Sequence, residues 1–114
     1  MTRHGRKEKS TNKLPKSLKI CGQMYSVVYV KKGDNKTLNL KWDGFASSPH
    51  KKIWIRLGYP KDCLLITLLH EILHCICYET GIDNIFTGHK QKEVIMCGLS
   101  TQLLRLFKEN RGKI

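Results

Sequence analysis

Acid is scarce in this sequence. Nine Asp and Glu stand against 21 Lys and Arg in 114 residues, a formal net charge of +12 that points to polyanionic rather than cationic partners. Half of the excess lies in residues 1–19, which hold seven Lys and Arg and one acid. That stretch has no aromatic residue on which a base could stack, so any nucleic-acid contact it makes is with phosphates. Long apolar runs are missing as well. None approaches the roughly 20 uninterrupted residues that cross a bilayer, and none of about 7–15 follows the basic N-terminus as a secretory signal would require. A cytoplasmic protein is expected. The five cysteines (Cys21, Cys63, Cys75, Cys77 and Cys97) are odd in number and follow no framework spacing. One residue rather than two separates Cys75 from Cys77, which excludes a zinc knuckle or a redox pair of the usual kind. Reduced, structural cysteines in a reducing compartment are expected. No internal repeat is visible, and the length bounds one domain with one modest core.

What is present divides near Leu14-Pro15. Residues 1–17 read as a flexible basic arm whose Arg3, Arg6, Lys7, Lys9, Lys13 and Lys16 are candidate nucleic-acid contacts, and residues 18–114 as a single domain. Three strands are expected. Ile20 to Val30 is rich in Val and Tyr, Leu38 to Trp42 alternates apolar with polar, and Lys52 to Leu57 runs up to Gly58. After Tyr59-Pro60 the period changes to that of a helix from about Lys61 to Thr80, free of Gly and Pro, with Gly81 suited to the position just past its end. A second helix is expected from about Lys90 to Lys108, after a short loop over 82–88. The fold class is therefore α+β: a small antiparallel sheet of about three strands packed on two helices.

The first helix carries His70-Glu71-Ile72-Leu73-His74, the H-E-x-x-H pattern. Side chains four apart lie one above the other on a helix, so both imidazoles can address one Zn²⁺ while Glu71 projects to the side. Zinc would lower the pKa of a water and polarise a scissile carbonyl, and Glu71 would serve as the general base. Two His and one Glu interrupt a helix otherwise made of Leu, Ile and Cys. Burying three ionisable groups with no partner costs several kcal/mol, on the order of 2–7 for each polar group.

Ile53-Trp54-Ile55 followed by Thr67-Leu68-Leu69-His70-Glu71-Ile72-Leu73-His74 resembles the minimal zincin-like proteins of phages and mobile elements. These are small relatives of the ImmA/IrrE and SprT-like metallopeptidases. The resemblance spans about residues 20–108 and leaves the basic arm outside; Gly44-Phe45-Ala46 matches loosely the family's Gly-aromatic-small stretch beside the active site. It implies a zinc metallopeptidase of the gluzincin type acting on a regulatory or DNA-associated protein. It also implies a third ligand from the following helix, where Glu93 stands with 18 residues between it and His74. His89 is the rival ligand, with Asp83 or a cysteine (Cys75 or Cys97) behind it; Tyr78 and Tyr59 could assist an oxyanion but read first as core or surface filler, so the sequence supplies no strong oxyanion donor. The strand from 52 to 57 is the expected edge for an extended peptide. The alternative is a nucleic-acid-binding accessory protein whose zinc is structural or whose site is inactive.

Overall fold

The computed structural model describes residues 14–113. Two residues with left-handed backbone, Cys21 (φ 51°) and Gly22 (φ 80°), break the β-rich stretch that reads as one strand in the sequence. Positive φ at both positions of a two-residue loop matches the twist of paired strands. The stretch is therefore a hairpin of β1 (Ser17–Ile20) and β2 (Gln23–Val30), antiparallel with Ser17 opposite Ser26.

Leu38–Trp42 is not a strand. The Asp34 carboxylate accepts hydrogen bonds from the backbone N–H groups of Lys36 and Thr37 at 3.1 and 3.0 Å, and Asn39 accepts one from Lys41 at 2.9 Å. These local bonds wind the segment into successive turns in place of a ladder. Leu38 is buried, but Leu40 and Trp42 are 73% and 44% exposed, so the alternation in the sequence does not describe one buried face. Arg56, only 5% exposed, fastens the turns by donating to the carbonyls of Asp34, Leu38, Asn39 and Trp42 at 2.9–3.2 Å.

Strand β3 (Gly44–Ser47) follows, where only a loop is expected from the sequence, and a hairpin leads into β4 (Lys52–Arg56). The sheet has four strands in the order β1-β2-β4-β3 and is mixed. β4 pairs antiparallel with β3 and parallel with β2, Val27 lying opposite Ile53 and Tyr29 opposite Ile55. The expected antiparallel, three-stranded sheet is corrected on both counts. The long connection after Val30 carries the chain back past the sheet, so β4 enters between its predecessors instead of at the edge.

Helix α1 (Lys61–Thr80) closes at Gly81, whose φ of 83° is the left-handed cap expected there. A 3-10 turn (Ile82–Ile85) replaces most of the expected loop, and α2 runs from His89 to Glu109. Leu64, Leu68 and Cys75 of α1 pack onto Ile20, Tyr25, Val27, Ile53 and Ile55 of the sheet to form the core. α1 is long and apolar enough by length and composition to cross a membrane, although its apolar residues are interrupted. Here it is the central helix, with the sheet on one side and α2 on another.

The domain begins earlier than residue 18. Leu14 is 3% exposed within the core and Tyr29 donates to the carbonyl of Pro15 at 2.5 Å, because β1 needs an anchored entry. Lys16 is exposed, while Arg3, Arg6, Lys7, Lys9 and Lys13 lie outside the described residues. Leu14→Ala is expected to lower stability by about 2–5 kcal/mol, whereas Lys16→Ala should change it by no more than about 0.5 kcal/mol. Urea unfolding of the two variants checks this; equal, small effects would return Leu14 to the arm.

Candidate metal centre

One turn of α1 sets His70 and His74 side by side, their rings 4.7 Å apart between centroids. Their Nε2 atoms face one another at 3.1 Å. From α2, Glu93 meets both: its Oε1 lies 3.1 Å from His70 Nε2 and its Oε2 2.7 Å from His74 Nε2. The three side chains are partly buried, at 15%, 18% and 34% exposure. Two imidazole nitrogens and a carboxylate thus converge, and without an ion only shared protons offset the repulsion of their lone pairs. A divalent cation there would satisfy all three, and two nitrogens with one oxygen are a donor set that zinc accepts. The residues fit a metal.

Cys97, one turn beyond Glu93 on α2, approaches the other side of His70, with Sγ 3.7 Å from Nδ1. One ligand atom each of His70, Glu93 and Cys97 lies within 4.8 Å of the others, so a second donor set overlaps the first. The His70–His74–Glu93 contacts are shorter and use both Nε2 atoms, which favours that set for one ion. Cys97 then stands behind His70. His89 is exposed at the start of α2 and has no hydrogen bond to the cluster among the described residues. Asp83 pairs with Lys92 at 2.7 Å instead. Cys75 is buried in the core, where desolvation pushes its thiol up to about 11. Tyr59 donates to Asp43 at 2.9 Å and lines neither cleft at the centre, whereas Tyr78 lines the same groove as His74 and Glu93.

Glu71 is 7% exposed and does not join the cluster. With Trp42, Gly44 and Glu93 it borders two adjoining clefts of about 430 and 370 Å³. One cleft runs beneath β3 and contains His74; the other contains His70 and Cys97. Gly44 is what lets β3 come so close. A Cβ there would lie 2.8 Å from Thr67 Cγ2 and 3.1 Å from Glu71 Oε2, so a larger residue would displace these side chains or the strand.

Several positioning groups have no recognisable signal in the sequence. Arg56 holds the loop that delivers Trp42 and Asp43 to β3. Tyr25 and Lys51 both donate to Glu79 Oε2 at 2.5 Å, which ties the β3–β4 turn to the C-terminal half of α1. Their partners are 28 and 54 positions away, beyond the reach of any local pattern. Compared with models of protein families, with curated proteins and with solved structures, the chain matches none.

Burial pushes the Glu71 carboxyl up to about 8, with the Glu93 charge adding to it. Burial also lowers the pKa of His74, against the pull of Glu93. In metal-free protein the folded Glu71 keeps a proton that the unfolded chain gives up above about 4.5, so its contribution to stability falls as pH rises from there to about 8. His74 opposes this only at lower pH, where the unfolded chain takes up a proton below about 6.5 and the folded chain resists. Metal-free protein should therefore lose stability between pH 6.5 and 8, and Glu71→Gln should remove most of that loss. Denaturant unfolding in chelator across this range checks it. A wild-type profile that rises toward pH 8 would contradict the buried position of Glu71.

Proposed function

We propose that this protein is a zinc-dependent peptidase of the minimal zincin type. The observation that supports this best is the meeting of His70 Nε2, His74 Nε2 and the Glu93 carboxylate within 3.1 Å, beside a buried Glu71 that stays out of the cluster. His70, His74 and Glu93 would hold the ion. When bound, zinc polarises a scissile carbonyl and makes water more acidic. Glu71 takes the proton from the attacking water as its oxygen bonds to the carbonyl carbon. It then returns that proton to the amide nitrogen as the C–N bond breaks. A cation at Glu93 would relieve the repulsion that helps hold Glu71 protonated and so favour the basic form the reaction needs. Tyr78 lines the groove wall, from which its hydroxyl would donate to the developing oxyanion.

The substrate lies along β3, the strand at the sheet edge on the side of the centre. The expected edge over residues 52–57 is corrected, since β4 is paired on both sides. An extended peptide added beside β3 would place its backbone over Glu71 and His74. The substrate class is a regulatory or DNA-associated protein, by resemblance alone.

Purified protein should bind about one zinc per chain, and His70→Ala or His74→Ala should abolish this, as read by elemental analysis. Glu93→Ala should weaken affinity far more than His89→Ala, whose effect stays on the order of 10–100-fold at most. Loss of zinc in His89→Ala with retention in Glu93→Ala would move the third ligand. An accessory protein with structural zinc gains support only if Cys97→Ala loses the metal as completely as the His variants do.

Glu71→Gln should keep zinc and fold while hydrolysis falls roughly 10²–10⁴-fold. Proteomic comparison of cells expressing wild type and Glu71→Gln would identify the substrate, and identical cleavage in both would remove Glu71 from the role of base.

A further inference from the structure

β4 turns Ile53 and Ile55 into the core, so by strand alternation Lys52, Trp54 and Arg56 face the other side of the sheet. Arg56 and its register neighbour Val30 are covered by the loop, whereas Trp54 is half-buried and Lys52 exposed. Across the register, Phe45 of β3 lies opposite Trp54, and Val28 of β2 lies on its other flank. Trp42 stacks on Phe45 with centroids 4.9 Å apart and planes within 6°, and Phe45 meets Trp54 at 5.9 Å. The result is a continuous aromatic row whose Trp42 and Phe45 are 44% and 40% exposed. The next register row carries Lys52, and beyond it Lys19 of β1 faces Met24. Lys41 adjoins Trp42.

Charge is distributed unevenly about this row. Residues 14–60 hold nine Lys and Arg against two acids, whereas residues 61–113 hold seven against six. Both acids of the first group are engaged, Asp34 with the amides of its own turn and Asp43 with Tyr59. Among the described residues, Lys19, Lys41 and Lys52 have no ion-pair partner.

From this juxtaposition we propose that the outer face of the sheet binds a single-stranded nucleic acid, its bases stacking on the Trp42–Phe45–Trp54 row and its phosphates meeting Lys19, Lys41 and Lys52. Flat rings beside unpaired lysines suit unpaired bases joined by phosphates. A duplex keeps its base faces stacked internally and offers the rings nothing. A second copy of the chain would bring like charges together, and an acidic peptide would match the lysines but leave the rings without a flat partner. Stacking and charge do not read the 2′-hydroxyl, so RNA and DNA single strands bind alike. The row reaches round the β3 edge to the metal centre, since Trp42 and Phe45 also line the cleft that holds Glu71 and His74, but binding there requires neither the ion nor hydrolysis.

The chain has two tryptophans, Trp42 and Trp54, and both belong to the row. Intrinsic fluorescence of the full chain therefore reports from the surface itself, whatever the basic arm does. Titration with oligothymidylate should quench it saturably, with affinity falling as salt rises. Phe45→Ala should weaken binding roughly tenfold, in the range of one lost base stack. Lys19→Gln and Lys52→Gln, both at exposed positions and no threat to folding, should each flatten the salt dependence by about 0.7 in the log–log slope. An RNA of equal length should behave the same, while a duplex leaves fluorescence unchanged. Absence of quenching, equal binding by the Phe45 and lysine variants, or equal quenching by duplex or by an acidic peptide would overturn the proposal.

Discussion

The constraint on which the structure depends is that α1 must be the middle of the core and also carry three ionisable side chains near its centre. An apolar helix of this length secures its stability by burial, yet His70, Glu71 and His74 resist burial unless something answers their charge. The fold resolves the conflict by dividing the faces of α1. Leu64, Leu68 and Cys75 go to the sheet. His70 and His74 go to a seam that α2 closes from the other side with Glu93. Glu71 remains at the join between α1 and β3, almost without exposure and with its pKa raised accordingly.

That join places demands on residues far from it. β3 is short and lies at the edge, so its position over α1 depends on what anchors its two ends. At one end Arg56 gathers four carbonyls of the preceding turns; at the other, Lys51 and Tyr25 converge on Glu79. Gly44 then allows a close approach to the Thr67 and Glu71 side chains, which a Cβ would have to displace. A cleft lined by β3 on one wall and by Glu71 and His74 on the other follows from these contacts.

The two halves of the protein also differ in electrical character. The helical half balances its charges through pairs such as Lys92 with Asp83 and Lys108 with Asp62. Among the described residues, the sheet half leaves most of its lysines without an ion-pair partner and sets an aromatic row among them. A basic surface next to a cleft attracts anionic partners over distances longer than any contact.

Much of this was legible in order along the chain. The span of α1, its left-handed Gly81 cap and the one-turn spacing of His70 and His74 are local consequences of composition and helical period, and they hold whatever surrounds them. The α+β class followed for the same reason. Strand pairing was not legible, because hydrogen-bond partners in a sheet are chosen across the chain: β4 slips between β2 and β3, β3 forms where a loop was expected, and the alternating segment at Leu38 is held in turns by Asp34, Asn39 and Arg56. The meeting of Glu93 with both imidazoles likewise lies beyond local rules. Helical periodicity puts Glu93 on a face of α2, but only the packing of α2 against α1 brings that face to His70 and His74, since side chains on separate helices meet where their cores close and not where the sequence spaces them.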